Sequence, residues 1–177
     1  MDDSKTLLLQ MLDGEDVDRL PVIPYVSQFA SMQKGIKYRE FCTRAEVLVD
    51  AIAACQREYG FDGVHISTDS AIEAETLGCE VYMPEDDVPT VMSHPLANDK
   101  NLDKIRIPDP LRDGRLPMYL KCIKLLDEAF GGRMTVICGA DGPLTIASHL
   151  IGIENLMMLM TDDPQYVKEL LDVTAEV

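Results

Sequence analysis

Apolar positions along the chain follow two patterns. Short apolar runs that suit strands cover residues 22–26, 63–67 and 133–139. Between them, apolar residues recur at helical spacing over residues 43–60 and 118–130. A strand, a helix and a second strand in that order form a βαβ unit, which implies a parallel sheet. The pattern therefore predicts an α/β chain of about three βα units.

Capping and stop residues mark the predicted helix boundaries. Thr43 opens a capping box with Glu46, and Gly60 is expected to end that helix. Pro24 has no N–H, so the first strand is expected at an edge or a bulge. Further helices are predicted over residues 4–12, 118–130, 143–151 and 154–160, with a last one from Pro164.

The connection between the second and third predicted strands is long. It contains an acidic turn, a predicted hairpin of residues 80–83 with 90–92, and the loop PDPLRDGRLP. An insertion of this length usually builds a binding face.

Two aspartates follow the predicted inner strands directly. Asp69 comes just after residues 63–67, and Asp141 follows residues 133–139. Ligands of α/β folds bind outside the carboxyl ends of strands, so Asp69 is a candidate catalytic residue and Asp141 a candidate substrate-binding residue. The alternatives are structural: Asp69 could cap the helix that starts near Ser70, and Asp141 could shape the turn before Pro143.

Composition and charge exclude several classes of partner. The chain of 177 residues is 46% hydrophobic and 27% charged, which is typical of a folded globular domain. Its net charge of -15 argues against nucleic acid and anionic membranes. The N-terminus is acidic where a signal peptide is basic, and no segment approaches transmembrane length. We therefore expect a cytoplasmic protein.

Cysteine and histidine spacing argues against disulfides and against a metal site. The five cysteines contain no CxxC pair, which fits reduced thiols. His65, His94 and His149 are scattered, and none shares a helix face with another histidine or a cysteine. No cofactor is therefore expected within this chain.

Four segments in a fixed order resemble the uroporphyrinogen decarboxylase superfamily, which includes methylcobamide:coenzyme M methyltransferases. They are RLPVIP, YGFDGVHISTDSAIEAETLGCEV, IPDPLRDGRLPMYL and GADGPLTIASHLIG, the last followed by MTDDPQYVKELL. The resemblance implies a TIM (β/α)8 barrel about twice this long, with residues 1–177 as a single domain forming its N-terminal portion. On this basis we expect a fragment whose C-terminal half is absent, inactive alone and self-associating through its unpaired strand edge.

The resemblance also assigns roles to individual residues. Asp69 occupies the place of the decarboxylases' catalytic aspartate, which stabilises positive charge on a pyrrole ring. His149 stands six residues after Pro143, where decarboxylases carry a tyrosine that lines the cleft. Residues 22–34, VIPYVSQFASMQK, lack the arginine pair that grips substrate carboxylates.

Three functions remain open on the sequence. The missing arginines favour a corrinoid-dependent methyltransferase, whose zinc would activate a thiol and whose zinc ligands belong to the C-terminal half. Its partner would be a methylated corrinoid protein. The alternatives are uroporphyrinogen III decarboxylation, with a tetrapyrrole substrate, and a non-catalytic α/β module.

Overall fold

A computed structural model describes residues 4–177, which form two compact units. The first comprises residues 4–68, 85–88 and 118–139, and the second residues 69–84, 89–117 and 140–177. The helices are α1 (Ser4–Leu12), α2 (Ser27–Gln33), α3 (Tyr38–Thr43), α4 (Ala45–Tyr59), α5 (Ile72–Thr76), α6 (Leu116–Phe130), α7 (Pro143–Ile151), α8 (Ile153–Asp162) and α9 (Pro164–Thr174). The strands are β1 (Gly63–Ile66), β2 (Val81–Tyr82), β3 (Thr90–Val91) and β4 (Thr135–Cys138). A short 3₁₀ helix covers Leu102–Lys104.

The first unit is built on the parallel pair of β1 and β4. The register runs from Gly63 opposite Thr135 to Ile66 opposite Cys138. Val64 and Ile66 of β1 are fully buried, which fits the apolar, β-branched sequence of this strand. Helix α4 ends at Gly60, whose φ of 66° is a left-handed conformation that glycine adopts without strain. The predicted strands at residues 63–67 and 133–139 and the predicted stop at Gly60 are confirmed.

The expected first strand at residues 22–26 does not form. Its contact with the chain before β1 consists of the Asp62 N–H donating to the Val22 carbonyl at 2.8 Å and the Val22 N–H donating to Asp62 Oδ2 at 2.8 Å. A side chain thus takes the place of a ladder partner, and Pro24 has no N–H to extend the ladder. The predicted count of three βα units is therefore not confirmed.

Asp62 is a buried anchor of the first unit. Arg19 binds both carboxylate oxygens at 2.6 Å, and the Ser4 hydroxyl donates to Oδ1 at 2.9 Å. The side chain of Asp62 is only 5% exposed. These bonds, with that of Arg19 the largest, hold the pKa of Asp62 well below its usual range although burial opposes them.

The predicted capping box at Thr43 is wrong. Thr43 is the last residue of α3, and its hydroxyl donates to the Arg39 carbonyl at 2.7 Å. The N-cap of α4 is Arg44, which makes no side-chain capping bond. Two short helices, α2 and α3, were not anticipated because the segments that form them are too short to show clear periodicity.

The second unit combines the β2–β3 hairpin with helices α5, α7, α8 and α9. Val81 pairs with Val91 and Tyr82 with Thr90, as the predicted hairpin requires. Its core includes fully or almost fully buried aliphatic side chains from three helices: Ile146, Leu150, Ile151, Leu156 and Leu170. Across residues 4–177 no single helix is long and apolar enough to cross a membrane, and α7 and α8, which pass that test only together, bend by 104°.

Candidate functional site

Asp69 lies between β1 and α5 and belongs to the second unit. Its side chain is fully buried. Arg115 donates from Nη1 to Oδ2 at 2.6 Å and from Nη2 to Oδ1 at 2.9 Å, and the Ala71 N–H donates to Oδ1 at 3.0 Å. Both carboxylate oxygens are therefore occupied. The bond from Ala71, two residues on, closes a local turn. The N-cap of α5 is Ala71, without a side-chain capping bond, so Asp69 does not cap that helix as the structural alternative expected.

Arg115 lies in the turn before α6 and binds the carboxylates of two residues, Asp69 and Glu75. Besides Asp69, it donates from Nε to Glu75 Oε2 at 2.7 Å, and its side chain is 8% exposed. Burial alone would lower the pKa of Arg115, but the bonds to Asp69 and Glu75 raise it, so the guanidinium stays charged. Gly114 makes this approach possible because a Cβ there would lie 2.8 Å from the side chain of Thr76, and its φ is +51°.

Asp141 lies in the turn after β4, next to a second acid. Its N–H donates to Glu73 Oε1 at 3.3 Å, and its side chain is 22% exposed. Burial raises the pKa of Asp141 to about 6, and the charges of Glu73 and Asp69 add to the shift. Asp141 can therefore exchange a proton close to neutral pH.

His149 projects from α7 toward Asp141. The distance from His149 Nε2 to Asp141 Oδ2 is 3.9 Å, which is too long for a direct hydrogen bond. Both atoms are buried, and neither has a hydrogen-bond partner among the described residues. Burial lowers the pKa of His149, with His94 contributing, while a backbone hydrogen bond with Ser70 and the charge of Glu73 oppose the shift. The imidazole is therefore neutral at pH 7.

A second imidazole stands beside the first at an open cleft. His94 Nδ1 lies 2.7 Å from the His149 carbonyl oxygen, so Nδ1 carries the hydrogen. The cleft has a volume of about 350 Å³. Its lining includes Ser70, Val91, His94, Ser148, His149 and Ile153. It is large enough for part of a ligand and exposes His149.

The structure places all three predicted site residues in the second unit. Asp141 and His149 face each other, whereas Asp69 is paired with Arg115. Sequence reasoning missed Arg115 and gave no chemistry to Glu73 or Glu75. The only signal for Arg115 was its position beside Gly114 at the start of a predicted helix. No sequence pattern relates Arg115 to Asp69, which lies 46 residues earlier.

Metal-ligating side chains do not gather in residues 4–177. No group of three or more His, Cys, Asp or Glu side chains there lies close enough to hold a metal ion. Burial raises the pKa of Cys79 to about 11 and that of Cys122 to about 12, so both thiols stay protonated at neutral pH.

Comparison with known proteins identifies relatives of two kinds. The chain is 31% identical to the methylcobamide:CoM methyltransferase MtaA of Methanosarcina barkeri, over 97% of this chain and 52% of the relative. It is 26% identical to the uroporphyrinogen decarboxylase of Carboxydothermus hydrogenoformans, over 86% of this chain and 44% of that protein.

A solved structure of a methyltransferase from Methanosarcina mazei matches with a TM-score of 0.87 at 27% identity. The match covers 98% of this chain and 52% of that one. The chain thus spans about half the length of the relatives it matches. The family model for uroporphyrinogen decarboxylase (URO-D) matches residues 3–177, and the chain therefore belongs to the uroporphyrinogen decarboxylase family.

Proposed function

We propose that this chain is the N-terminal portion of a single (β/α)8-barrel domain in an enzyme that transfers a methyl group from a methylcobamide to a thiol. The chain's higher sequence identity to methyltransferases than to decarboxylases supports methyl transfer. The methylcobamide:CoM methyltransferases share 28–31% identity with the chain, and the uroporphyrinogen decarboxylases 22–26%.

The observation that carries the proposal is the charge of the site. Arg115 has given its donors to Asp69 and Glu75, while Asp141 lies against Glu73 and within the field of Asp69, without a lysine or arginine partner among the hydrogen bonds and ion pairs of the described residues. Uroporphyrinogen carries many carboxylates, each of which needs a basic partner when buried. A site with excess negative charge would repel such a substrate. A corrinoid, whose peripheral groups are mostly amides, meets no such repulsion.

Residues 22–34, where the decarboxylases carry substrate-binding arginines, also argue against a substrate with many carboxylates. Residues 22–34 contain one basic residue, Lys34, whose ammonium lies 2.8 Å from Asp50 Oδ2. That charge is already paired, so it is a poor partner for a substrate carboxylate.

The proposed catalytic role of Asp69 requires a movement of Arg115. In the structure Arg115 covers both oxygens of Asp69, so the carboxylate meets a substrate only when the arginine turns away. Until then Asp69 acts as a fixed charge that positions Arg115 and Glu75. Asp141 and His149 are the proposed substrate-binding residues because His149 lines the cleft and Asp141 Oδ2 lies 3.9 Å from His149 Nε2.

Zinc activation of the thiol, expected for the methyltransferase branch, finds no ligand set in the described part of the chain.

Uroporphyrinogen decarboxylation remains the second candidate because decarboxylases are among the relatives and Asp69 stands in their catalytic register. Turnover by the purified native protein that carries this sequence distinguishes the two. Methylcobalamin and a small thiol should give a methyl thioether, and uroporphyrinogen should not lose CO₂. Decarboxylation without methyl transfer would overturn the proposal.

Partners and location follow from the same proposal. The partner is a methylated corrinoid protein, and the five cysteines, which contain no CxxC pair, support a reducing, cytoplasmic setting. Within the described residues the parallel sheet contains only β1 and β4, and a sheet edge is a surface on which a strand of another chain can pair. We propose that the isolated chain self-associates through this edge, and a monomer in sedimentation at high concentration would contradict that.

A further inference from the structure

Helix α8 presents an apolar face to solvent. Ile153, Met157 and Met160 lie at i, i+4 and i+7 of this helix, so they share one face, and their exposed fractions range from 44% to 65%. Leu156, by contrast, is fully buried in the core of the second unit. The helix therefore packs within its unit through other apolar residues and leaves this second apolar face, here called the methionine face, uncovered among the described residues.

Acidic residues border the methionine face. Glu154 and Asp162 are exposed and lie four residues before and after Met158, which is also exposed. Neither carboxylate has an ion-pair partner in the described part of the chain, and Lys100 is already paired with Asp163 at 2.7 Å. No lysine or arginine occurs in α8, and Asp162 stands at its C-terminal end, where the helix dipole is negative. A cation placed along this border would offset the negative charge.

The apolar stripe and its acidic border together select a kind of partner. Methionine side chains are unbranched and polarisable, so they adapt to apolar residues of varied shape. A stripe at i, i+4 and i+7 matches the anchor spacing of a second amphipathic helix. Carboxylates on the border repel anionic lipid headgroups and the same acidic border of a second copy, whereas they attract lysine and arginine.

We propose that the methionine face of α8 is a docking surface for a basic amphipathic helix of a partner protein. That helix lays its apolar side on the methionine face and sets its lysines or arginines against Glu154 and Asp162. Ile153 also lines the cleft that exposes His149, so the partner stands beside that cleft. The docking surface does not depend on which reaction the protein performs, and it goes beyond the proposed function.

Binding of two designed helices tests the charge requirement. Both peptides have about 18 residues, a leucine stripe and a fluorescent dye, with lysine at the polar positions of one and glutamate at those of the other. Fluorescence anisotropy follows their binding to the native protein that carries this sequence. The lysine peptide should bind at least about tenfold more tightly than the glutamate peptide, and less tightly as the salt concentration rises. Equal binding of the two peptides would overturn the proposal.

Variants assign the binding to α8. They are needed because the net charge of -15 could attract a lysine peptide to other surfaces. Met157→Gln/Met160→Gln removes two apolar anchors and should weaken binding of the lysine peptide at least about tenfold. Glu154→Gln/Asp162→Asn should weaken it roughly threefold and reduce its salt dependence. Unchanged binding to Met157→Gln/Met160→Gln would overturn the proposal.

Methyl NMR locates the bound peptide directly. With methionine labelled at the methyl carbon, the lysine peptide should shift the resonances of Met157 and Met160 and leave those of Met32 and Met92 in place. The matched control is Met32→Gln/Met92→Gln, because both side chains are exposed outside α8, and it should bind the peptide as the wild type does. If a second copy or another part of the native protein covers the methionine face, the α8 resonances will not shift, and the proposal fails.

Discussion

Replacing Arg115 with methionine removes the one positive charge that neutralises Asp69. Methionine keeps most of the length and apolar contact of the arginine stem, so the change chiefly deletes three hydrogen bonds. Asp69, whose side chain is fully buried, keeps only the bond from Ala71.

The cost is that of leaving one charge of a buried pair without its partner, about 3–5 kcal/mol. The loss of the Glu75 contact adds little because that carboxylate is 33% exposed and can be solvated. For a chain of this size the thermal midpoint should fall by roughly 6–20 °C, taking ~2–4 °C per kcal/mol.

Urea denaturation followed by circular dichroism at pH 7 measures this cost. Arg112→Met is the control, because that side chain is 83% exposed and its loss should change stability by less than about 0.5 kcal/mol. The double variant Asp69→Asn/Arg115→Met should be more stable than the sum of the single changes predicts, by at least ~1.5 kcal/mol. A loss below about 1 kcal/mol for Arg115→Met would refute the account of Asp69.

Three further changes test other parts of the structure by urea denaturation. Asp141→Asn should stabilise the chain by about 2–3 kcal/mol at pH 7 and little at pH 4, because the native carboxyl binds protons up to about pH 6 and stability falls as pH rises through that window; no gain at pH 7 would contradict the raised pKa. Asp62→Asn should cost about 1–3 kcal/mol at pH 7, since its pKa is lowered in the native state, and the difference from wild type should shrink steadily below pH ~4; a difference as large at pH 2 as at pH 7 would argue against it. Gly60→Ala should cost about 1–2 kcal/mol because of its φ of +66°, whereas Gly142→Ala, at φ -78° and equally open, should be nearly neutral; equal effects would exclude the backbone explanation.

The sequence predicts an element correctly where residues close by in the chain determine its structure. The apolar run that became β1 and the glycine that ends α4 each carry their information within a few residues. Residues 22–26 had the composition of a strand, but whether such a run joins a sheet depends on partners. Here the distant Asp62 side chain took the place of a ladder.

In the candidate site, likewise, the positions of the residues could be predicted but their contacts could not. The sequence identified Asp69 and Asp141 because each follows a predicted strand. It identified His149 because its spacing from Pro143 matches that of a tyrosine in the decarboxylases. Their pairing could not be predicted, because the Arg115–Asp69 contact joins residues 46 positions apart in a loop without periodicity. The 3.9 Å approach of Asp141 Oδ2 to His149 Nε2 likewise depends on the packing of α7, which residue type alone does not reveal.

The proposed function places this chain in the corrinoid-recognising branch of its family. A direct competition tests it: the chain is mixed with equal amounts of methylcobalamin and uroporphyrin, passed through a sizing column, and read by absorbance for the ligand that co-elutes. We expect the corrinoid to elute with the protein and the porphyrin to elute separately. Co-elution of the porphyrin alone would contradict it.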